Sequence, residues 1–173
     1  MRGPPAAEYP FGRARGSFAL GGASPAAPPQ AEPLLAYGAN ASPERLAAKL
    51  CPGVPAVGLA ATLHGWAIVY SRHVSPYGAV PATIVEASGA AAAVHVLLVA
   101  ERAALDATEP NYDRVRLTGI ALDVEHLGRL DAVDAYVSRW GPLLRSGRTV
   151  PLGSIPQSVL LQQVRAERDH KDV

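Results

Sequence analysis

The sequence predicts an α+β fold: a mixed, mostly antiparallel β-barrel or sheet with a few flanking helices. Apolar residues alternate with polar ones, or form short unbroken apolar runs, in segments such as 65–72, 94–99 and 114–118, as expected of strands. The helical segments are few and do not alternate regularly with these strands, which disfavours a parallel βαβ architecture. The length of 173 residues fits one domain with its own core.

Composition excludes several classes of protein. Hydrophobic residues make up 49% of the chain, so the whole chain is not disordered, and the net charge of +1 gives no support for binding to nucleic acid or to a membrane surface. The single cysteine, Cys51, cannot form an intrachain disulfide. No apolar run approaches the roughly 20 residues of a membrane span. We therefore expect a cytoplasmic protein.

Residues 1–33 are expected to form a flexible arm. This stretch contains seven prolines among many glycines and alanines, and neither the helical nor the strand period persists in it. Ordering a residue costs about 1–2 kcal/mol, and the arm has little apolar area to offset that cost. A processed or targeting peptide is the alternative, because residues 1–31 are poor in acids and contain arginines. The predicted domain spans 34–168, with a tail at 169–173.

The predicted domain begins with a strand, a turn and a helix. Residues 34–37 form a short apolar run, residues 38–40 turn the chain, and Ser42-Pro43-Glu44 opens the helix. Serine is a good N-cap, proline suits the first helical position, and an acid complements the positive helix end. Cys51-Pro52-Gly53 then ends the helix. Later segments predict strands over 65–72, 80–85, 94–99, 114–118 and 133–137, and helices over 101–108 and 157–168.

Two short segments carry the candidate functional residues. The turn after the first strand leads into a helix start, where unpaired N–H groups attract a carboxylate or an oxyanion. Gly38 in this turn allows either a positive φ or the close approach of a ligand, and Asn40 both donates and accepts hydrogen bonds. The second segment holds Glu109 at a helix-to-strand junction, where a partly desolvated carboxylate suits general acid/base chemistry. Each segment, taken alone, is equally compatible with an ordinary connecting loop.

Other reactive side chains give weaker signals. The five histidines show no spacing typical of a metal site. His73 follows a predicted strand end, where it either packs in a loop or touches the site, and His95 is expected to make a local hydrogen bond. Cys51 precedes a proline in a turn and is expected to be a small buried hydrophobe. Ser71 and Ser75 lack the context of a nucleophile elbow.

The two segments together with several others resemble the γ-glutamylcyclotransferase-like family. Tyr37-Gly38-Ala39-Asn40 is similar to the family's Tyr-Gly-Ser-Asn turn, and Leu105-Asp106-x-x-Glu109 followed by Tyr112 is similar to its Leu-Asp-x-x-Glu-Gly-x-Tyr element. Further similar pieces, in the same order along the chain, are Gly65-Trp66 with Ser71-Arg72, the run Pro81-Ala82-Thr83-Ile84-Val85, and Ala135-Tyr136-Val137. The likeness covers roughly residues 34–165, and only the ordered set is specific.

This resemblance implies an enzyme that cleaves a γ-glutamyl amide by cyclisation, releasing 5-oxoproline and a free amine. It implies Glu109 as the catalytic acid/base. The implied substrate-binding residues are Tyr37, Gly38, Ala39, Asn40 and Tyr112, although Tyr112 is equally well explained as a core tyrosine. No cofactor and no metal are implied, and the expected partner is a small γ-glutamyl substrate.

Two departures from the family pattern leave an alternative open. Ala39 replaces the usual serine and removes a hydroxyl group from the turn, and Pro110 replaces the usual glycine after the glutamate. Proline stiffens the backbone beside the candidate acid/base. The alternative is a non-catalytic small-molecule-binding protein on the same fold. The sequence contains no heptad pattern or other sign of an oligomeric state.

Overall fold

Six strands form a single sheet in the computed structural model, which describes residues 9, 10 and 12–169. Along the chain they are β1 (Phe18–Leu20), β2 (Leu34–Ala36), β3 (Ala56–Tyr70), β4 (Ala82–Val99), β5 (Tyr112–Val124) and β6 (Gly128–Ser138). Their spatial order is β1-β3-β4-β2-β6-β5, and β3 also pairs with β5. Five strands therefore close into a ring, and β1 adds to the edge of β3.

Every pairing in this sheet is antiparallel except that of β2 with β6. A separate hairpin joins the short strands β7 (Leu144–Arg145) and β8 (Arg148–Thr149). Three helices flank the sheet: α1 (Pro43–Ala47), α2 (Arg102–Asp106) and α3 (Gln157–Asp169). The α+β, mostly antiparallel architecture predicted from the sequence is confirmed.

The longest strands merge segments that the sequence separates. The predicted strand at 65–72 is the end of β3, and those at 80–85 and 94–99 are largely the two ends of β4. Strands β3 and β4 stay paired across a large irregularity, at which the register changes from His64↔Ala91 to Trp66↔Glu86. Gly65 and Gly89 adopt φ values of 78° and 76° there, which a glycine tolerates without strain. The alanine tract gives no alternating signal, so its strand is not visible in the sequence.

The core lies on both faces of the sheet, as predicted for residues 94–99. Within β4, Val96 and Leu98 belong to the larger apolar cluster, whereas Leu97 and Val99 belong to a second cluster. Helices α1 and α2 cover this second face through Leu46 and other apolar residues. A strand that is buried on both faces reads as a continuous apolar run, and this explains why the prediction is correct.

The local sequence signals predict the starts of α1 and α3 correctly but not the extent of α2. The Ser42 side chain accepts a hydrogen bond from the Arg45 amide at 3.5 Å, and Pro43 occupies the first turn of α1 as predicted. Helix α2 is shorter than the predicted 101–108, whereas α3 begins at Gln157 as predicted. None of the helices in the described part of the chain has the length and apolarity needed to cross a membrane.

Where the structure describes the N-terminal segment, the segment packs on the sheet, and the prediction of a flexible arm is wrong for those residues. Strand β1 pairs with β3 through Phe18↔Gly58, and the Tyr9 side chain is 4% exposed. The Ser17 hydroxyl accepts a hydrogen bond from the Ala60 amide at 2.9 Å. These contacts lie 40 or more residues apart along the chain, so no local pattern reveals them. The part of the predicted arm at 1–8 and 11, and the end of the predicted tail at 170–173, lie outside the described residues.

Candidate functional site

One cavity of about 190 Å³ is lined by all six residues proposed from the sequence for a site. They are Tyr37, Gly38, Ala39, Asn40, Glu109 and Tyr112. The turn after β2 supplies the first four, and the junction between α2 and β5 supplies the other two. The closed sheet brings these two segments together, because β2 and β5 both pair with β6.

The turn at 37–40 is built tightly. The buried Tyr37 hydroxyl donates to the backbone carbonyl of Tyr136, and burial raises the pKa of Tyr37. Residues 39–41 form a 3₁₀ turn, in which the Ala41 amide donates to the Gly38 carbonyl at 3.0 Å. Gly38 has a φ of −117°, so of the two reasons offered for a glycine the positive φ does not apply. A Cβ on Gly38 would lie 3.1 Å from the Tyr9 hydroxyl oxygen, so a protein side chain already lies close to this glycine, and the close approach of a ligand stays a prediction.

Glu109 follows α2 and faces the turn. Its amide donates to the Asp106 carbonyl at 3.2 Å, and its own carbonyl accepts from the Tyr112 amide at 3.1 Å, so the backbone on both sides is held. The side chain is 11% exposed. The Asn40 side-chain amide donates to Glu109 Oε1 at 3.0 Å. The two candidate segments are therefore in direct polar contact across the cavity.

Lys49 completes this cluster, and the sequence reasoning did not single it out. Its Nζ donates to Glu109 Oε1 at 2.5 Å and to Asn40 Oδ1 at 2.7 Å. The side chain is 18% exposed. One signal was available: sixteen basic residues are nearly all arginine, and Lys49 is one of only two lysines. Its position near the end of the helix predicted to follow the turn was the second part of that signal.

The Glu109 carboxylate is engaged on one side only. Oε1 accepts from both Asn40 and Lys49. Among the residues that the structure describes, Oε2 accepts no hydrogen bond from a protein group. One oxygen is thus anchored while the other is left for a ligand. Such a division is what a proton-transferring carboxylate requires, since the group must be positioned and yet reach its partner.

The charges around the cavity favour a ligand that carries a carboxylate. Glu109 contributes one negative charge, and Lys49 and Arg45, which both line the cavity, contribute two positive charges. The Arg45 guanidinium lies over the Tyr77 ring, 5.4 Å from its centroid. Because the cavity is partly closed to water, these charges interact more strongly than they do in bulk solvent.

Two tyrosines form a wall of the cavity and are held by the same backbone residue. The Tyr112 hydroxyl donates to the Ala82 carbonyl at 2.9 Å, and the Ala82 amide donates to the Tyr9 hydroxyl at 2.8 Å. Burial raises the pKa of both tyrosines. Tyr112 therefore bonds to backbone rather than to Glu109, and Tyr9 comes from the segment that the sequence reasoning set aside as an arm.

His73 lies beside this wall and is 6% exposed. Its Nδ1 is 2.8 Å from the Ser71 hydroxyl oxygen, and its ring meets Tyr112 edge-on with centroids 5.7 Å apart. Burial lowers the pKa of His73 to about 4, so the imidazole is neutral at physiological pH. His95 makes a hydrogen bond, since its Nε2 lies 3.1 Å from the Gly16 carbonyl oxygen, but the partner is 79 residues away along the chain, so the expected local bond is wrong. Cys51 is exposed, which corrects its expected burial.

The described residues contain no group of three or more His, Cys, Asp or Glu side chains arranged to hold a metal ion. Three polar groups that line the cavity contact one another: the Glu109 carboxylate, the Asn40 amide and the Lys49 ammonium group. Such a set suits hydrogen bonding and proton transfer with an organic ligand that carries charges of its own.

No family model matches the chain, and no curated protein sequence matches it. The chain is similar to a solution structure of an Arabidopsis thaliana protein at 17% identity, covering 86% of this chain and 92% of that chain, with a TM-score of 0.49. It is similar to a structure named gamma-glutamyl cyclotransferase at 13% identity, covering 79% of each chain, with a TM-score of 0.49. A third is an uncharacterized Homo sapiens protein at 14% identity, covering 79% of each chain, with a TM-score of 0.45. Identities this low leave the chemistry of the chain to be argued from its own cavity.

Proposed function

We propose that the protein is a cyclotransferase, which cleaves a γ-glutamyl amide by intramolecular attack of the substrate amine and releases 5-oxoproline and a free amine. The observation that carries this proposal is the contact between Glu109 and Asn40 across the cavity, at 3.0 Å. It joins the only carboxylate among the cavity-lining residues to the turn that resembles a substrate loop. The exposed fraction of 11% keeps the carboxylate reachable while most water is excluded.

In the proposed reaction the nucleophile belongs to the substrate. The α-amino group has a reference pKa of about 8 and is mostly protonated at neutral pH, so a base must remove a proton before it attacks. Glu109 takes this proton on Oε2, the oxygen left without a protein partner. The amine nitrogen then forms a bond to the γ-carbonyl carbon, which gives a five-membered ring and an oxyanion.

Collapse of this intermediate completes the reaction. The bond between the γ-carbonyl carbon and the leaving nitrogen breaks as Glu109 returns its proton to that nitrogen. The ring nitrogen then gives up its remaining extra proton to Glu109, which passes it to the departing amine, so that a neutral lactam and a protonated amine are released. Atoms balance without water: one γ-glutamyl amide gives one 5-oxoproline and one amine. The backbone at 37–40 lines the same cavity, and we assign to it the developing oxyanion, because fixed N–H dipoles stabilise such charge with little reorganisation.

A second candidate is a non-catalytic binding protein on the same fold. The 2.5 Å ion pair between Lys49 and Glu109 favours it, because the ammonium group occupies one oxygen of the carboxylate that would have to accept the proton. Ala39 and Pro110 point in the same direction. Both candidates place the same ligand in the same cavity and differ only in whether turnover follows binding.

Glu109→Gln separates these candidates. Glutamine keeps the size of the side chain but cannot accept the proton, so we expect 5-oxoproline release from a panel of γ-glutamyl amides to fall about 10²–10⁴-fold. Chromatography distinguishes 5-oxoproline from the glutamate that hydrolysis would give. Glu101→Gln is the matched control, because Glu101 is exposed and its side chain does not cap α2.

Three outcomes are decisive. A selective loss in Glu109→Gln, with both variants melting near the parent, supports the cyclotransferase. Equal rates in the parent and Glu109→Gln contradict the assigned base. If the parent binds γ-glutamyl amides, as seen by thermal shift, but releases no 5-oxoproline, the binding protein is the better description.

A further inference from the structure

We propose that Lys49 recognises the α-carboxylate of the ligand, so that the site selects compounds with an unblocked α-amino acid head. The inference rests on the proposed function, because it concerns the same cavity and the same γ-glutamyl ligand. It assigns a specificity-determining role to a side chain that the resemblance to the cyclotransferase family does not include.

Lys49 has one donor to spare. An ammonium group carries three N–H bonds, and two of them are used by Glu109 Oε1 at 2.5 Å and Asn40 Oδ1 at 2.7 Å. The side chain lines the cavity and retains 18% of its exposure. Within residues 9, 10 and 12–169 no third acceptor bonds to Lys49 Nζ, so its remaining N–H can bond to an acceptor that enters the cavity without breaking either of the existing bonds.

The geometry matches an amino acid head because it offers opposite charges side by side. In such a head an ammonium group and a carboxylate are attached to the same carbon atom. Glu109 Oε2 faces the ammonium group in the proposed reaction, so the neighbouring carboxylate of the same ligand comes next to Lys49. The four charges then alternate in sign, and each one neutralises two neighbours. Hydrogen bonds between ionised groups are roughly twice as strong as neutral ones.

Arg45 is the competing cation in the cavity. Its guanidinium group lies over the Tyr77 ring at 5.4 Å, whereas Lys49 contacts the carboxylate that is assigned to the amine. We therefore place the α-carboxylate of a ligand whose amine is at Glu109 beside Lys49, which contacts Glu109 directly. This makes Arg45→Gln a matched control, because it also removes one positive charge from the cavity.

The experiment compares two unreactive ligands in the full-length protein. Both are analogues in which an SO₂ group that the amine does not attack replaces the γ-carbonyl, and they differ only in carrying an α-carboxylate or an α-carboxamide. Dissociation constants are measured by calorimetry for the parent, Lys49→Gln, Lys49→Arg and Arg45→Gln. Melting curves check that each variant is folded.

We expect Lys49→Gln to weaken binding of the α-carboxylate analogue about 10- to 100-fold, as for the loss of a hydrogen bond between charged groups. Binding of the α-carboxamide analogue should change by less than about threefold, because a neutral amide gains little from the cation. Lys49→Arg, which keeps the charge, and Arg45→Gln should both retain the preference for the carboxylate. A merely structural lysine would weaken both analogues equally.

Several results would overturn the assignment. They are an equal loss for both analogues in Lys49→Gln, a preference that disappears in Arg45→Gln instead, or a parent protein that does not distinguish the two. The proposed reaction fails separately: selective binding without 5-oxoproline release leaves Lys49 in its role and removes the cyclisation. Release of 5-oxoproline at equal rates from substrates with and without the α-carboxylate retains the cyclisation and removes the role of Lys49. A parent that binds neither analogue contradicts both.

Discussion

Two regions of the chain, the second of which reaches the cavity only through Tyr9, differ in how clearly the sequence marks them. In the region from Leu34 to Ala47 a strand, a turn and a capped helix follow one another, and the turn and the helix start are held by local hydrogen bonds, although β2 also pairs with distant strands. The region from 12 to 20, together with Tyr9, is fixed by distant partners, including Gly58, Ala82 and His95. The first carries strong sequence signals and the second carries almost none.

The difference shows what a sequence pattern reports. Prolines and glycines weaken helices and strands wherever they occur, because they alter backbone freedom locally. They do not prevent a short segment from pairing with the edge of a sheet that other strands form. Strand β1, with only three residues, pairs with β3 in this way. A lack of periodicity therefore indicates a lack of regular structure, which is a weaker statement than a lack of order.

Removal of the N-terminal segment should have the largest effect on stability. A truncated protein that begins at Glu32 loses the buried Tyr9 ring and the pairing of β1 with β3. Loss of one buried aromatic side chain typically costs about 3–5 kcal/mol, and so we expect the melting temperature to fall by about 10 °C or more. Differential scanning calorimetry of both proteins is the measurement.

The control for this truncation removes only what the structure leaves undescribed. A protein that begins at Glu8 keeps Tyr9 and β1, and its melting temperature should stay within about 2 °C of the parent. Equal melting temperatures for the parent and the protein that begins at Glu32 would mean that the segment is dispensable, as its composition predicts.

Gly58→Ala should have an intermediate effect on stability, because it disturbs the packing of β1 on β3 from the β3 side. A Cβ on Gly58 would lie 2.3 Å from the Phe18 ring, which must then move. Overpacking of this kind costs about 1–3 kcal/mol, and urea unfolding measures it. Gly16→Ala is the matched control, since nothing lies within 4 Å of a Cβ at that position. Equal unfolding midpoints for the two variants would show that Phe18 does not pack there.

The smallest effect should be the part of the acid response that comes from His95, beneath the N-terminal segment. Burial lowers the pKa of His95, and Nε2 is the donor in its bond to Gly16 because a carbonyl only accepts. The unfolded chain, with a His pKa of about 6.5, then binds the proton more readily. The free energy of unfolding should therefore fall as the pH drops from about 6.5 through the lowered pKa.

A difference between two variants isolates this contribution from that of other acids and bases. His95→Gln should show a weaker loss of urea resistance between pH 7.5 and pH 5 than the parent. His126→Asn, which replaces an exposed histidine with a residue tolerant of the φ of 65° found there, should follow the parent. A parallel pH response in all three proteins would exclude His95 as a source.

The sequence predicts much of the fold for physical reasons that are local. The apolar run at 94–99, the cap at Ser42 and the start of α3 at Gln157 each depend on residues within a turn or a strand of one another. The continuity of β4 through its alanine tract is missed, since alanine favours no strand face and the pairing with β3 decides the outcome.

The residues of the candidate site also fall into two groups, those with a local sequence pattern and those without one. The turn at 37–40 and Glu109 stand in recognisable local patterns, and the structure brings them into contact. Tyr9 reaches the cavity only through contacts with distant parts of the chain, and Lys49 is marked in the sequence only as one of two lysines, near the helix that follows the turn. Their roles remain proposals, as does the catalytic role of Glu109.

The closed sheet also has a kinetic consequence. Leu34 pairs with Asp134, Tyr9 bonds to Ala82, and Asn40 bonds to Glu109, so the cavity is made from contacts between distant parts of the chain. Contacts of high sequence separation form only after long loops close, which slows folding relative to a domain of local contacts. The helix at 43–47 can form early, whereas the cavity beside it exists only once the ring of strands is complete. Ligand binding is therefore a property of the finished molecule, and a chain caught partway through folding cannot have it.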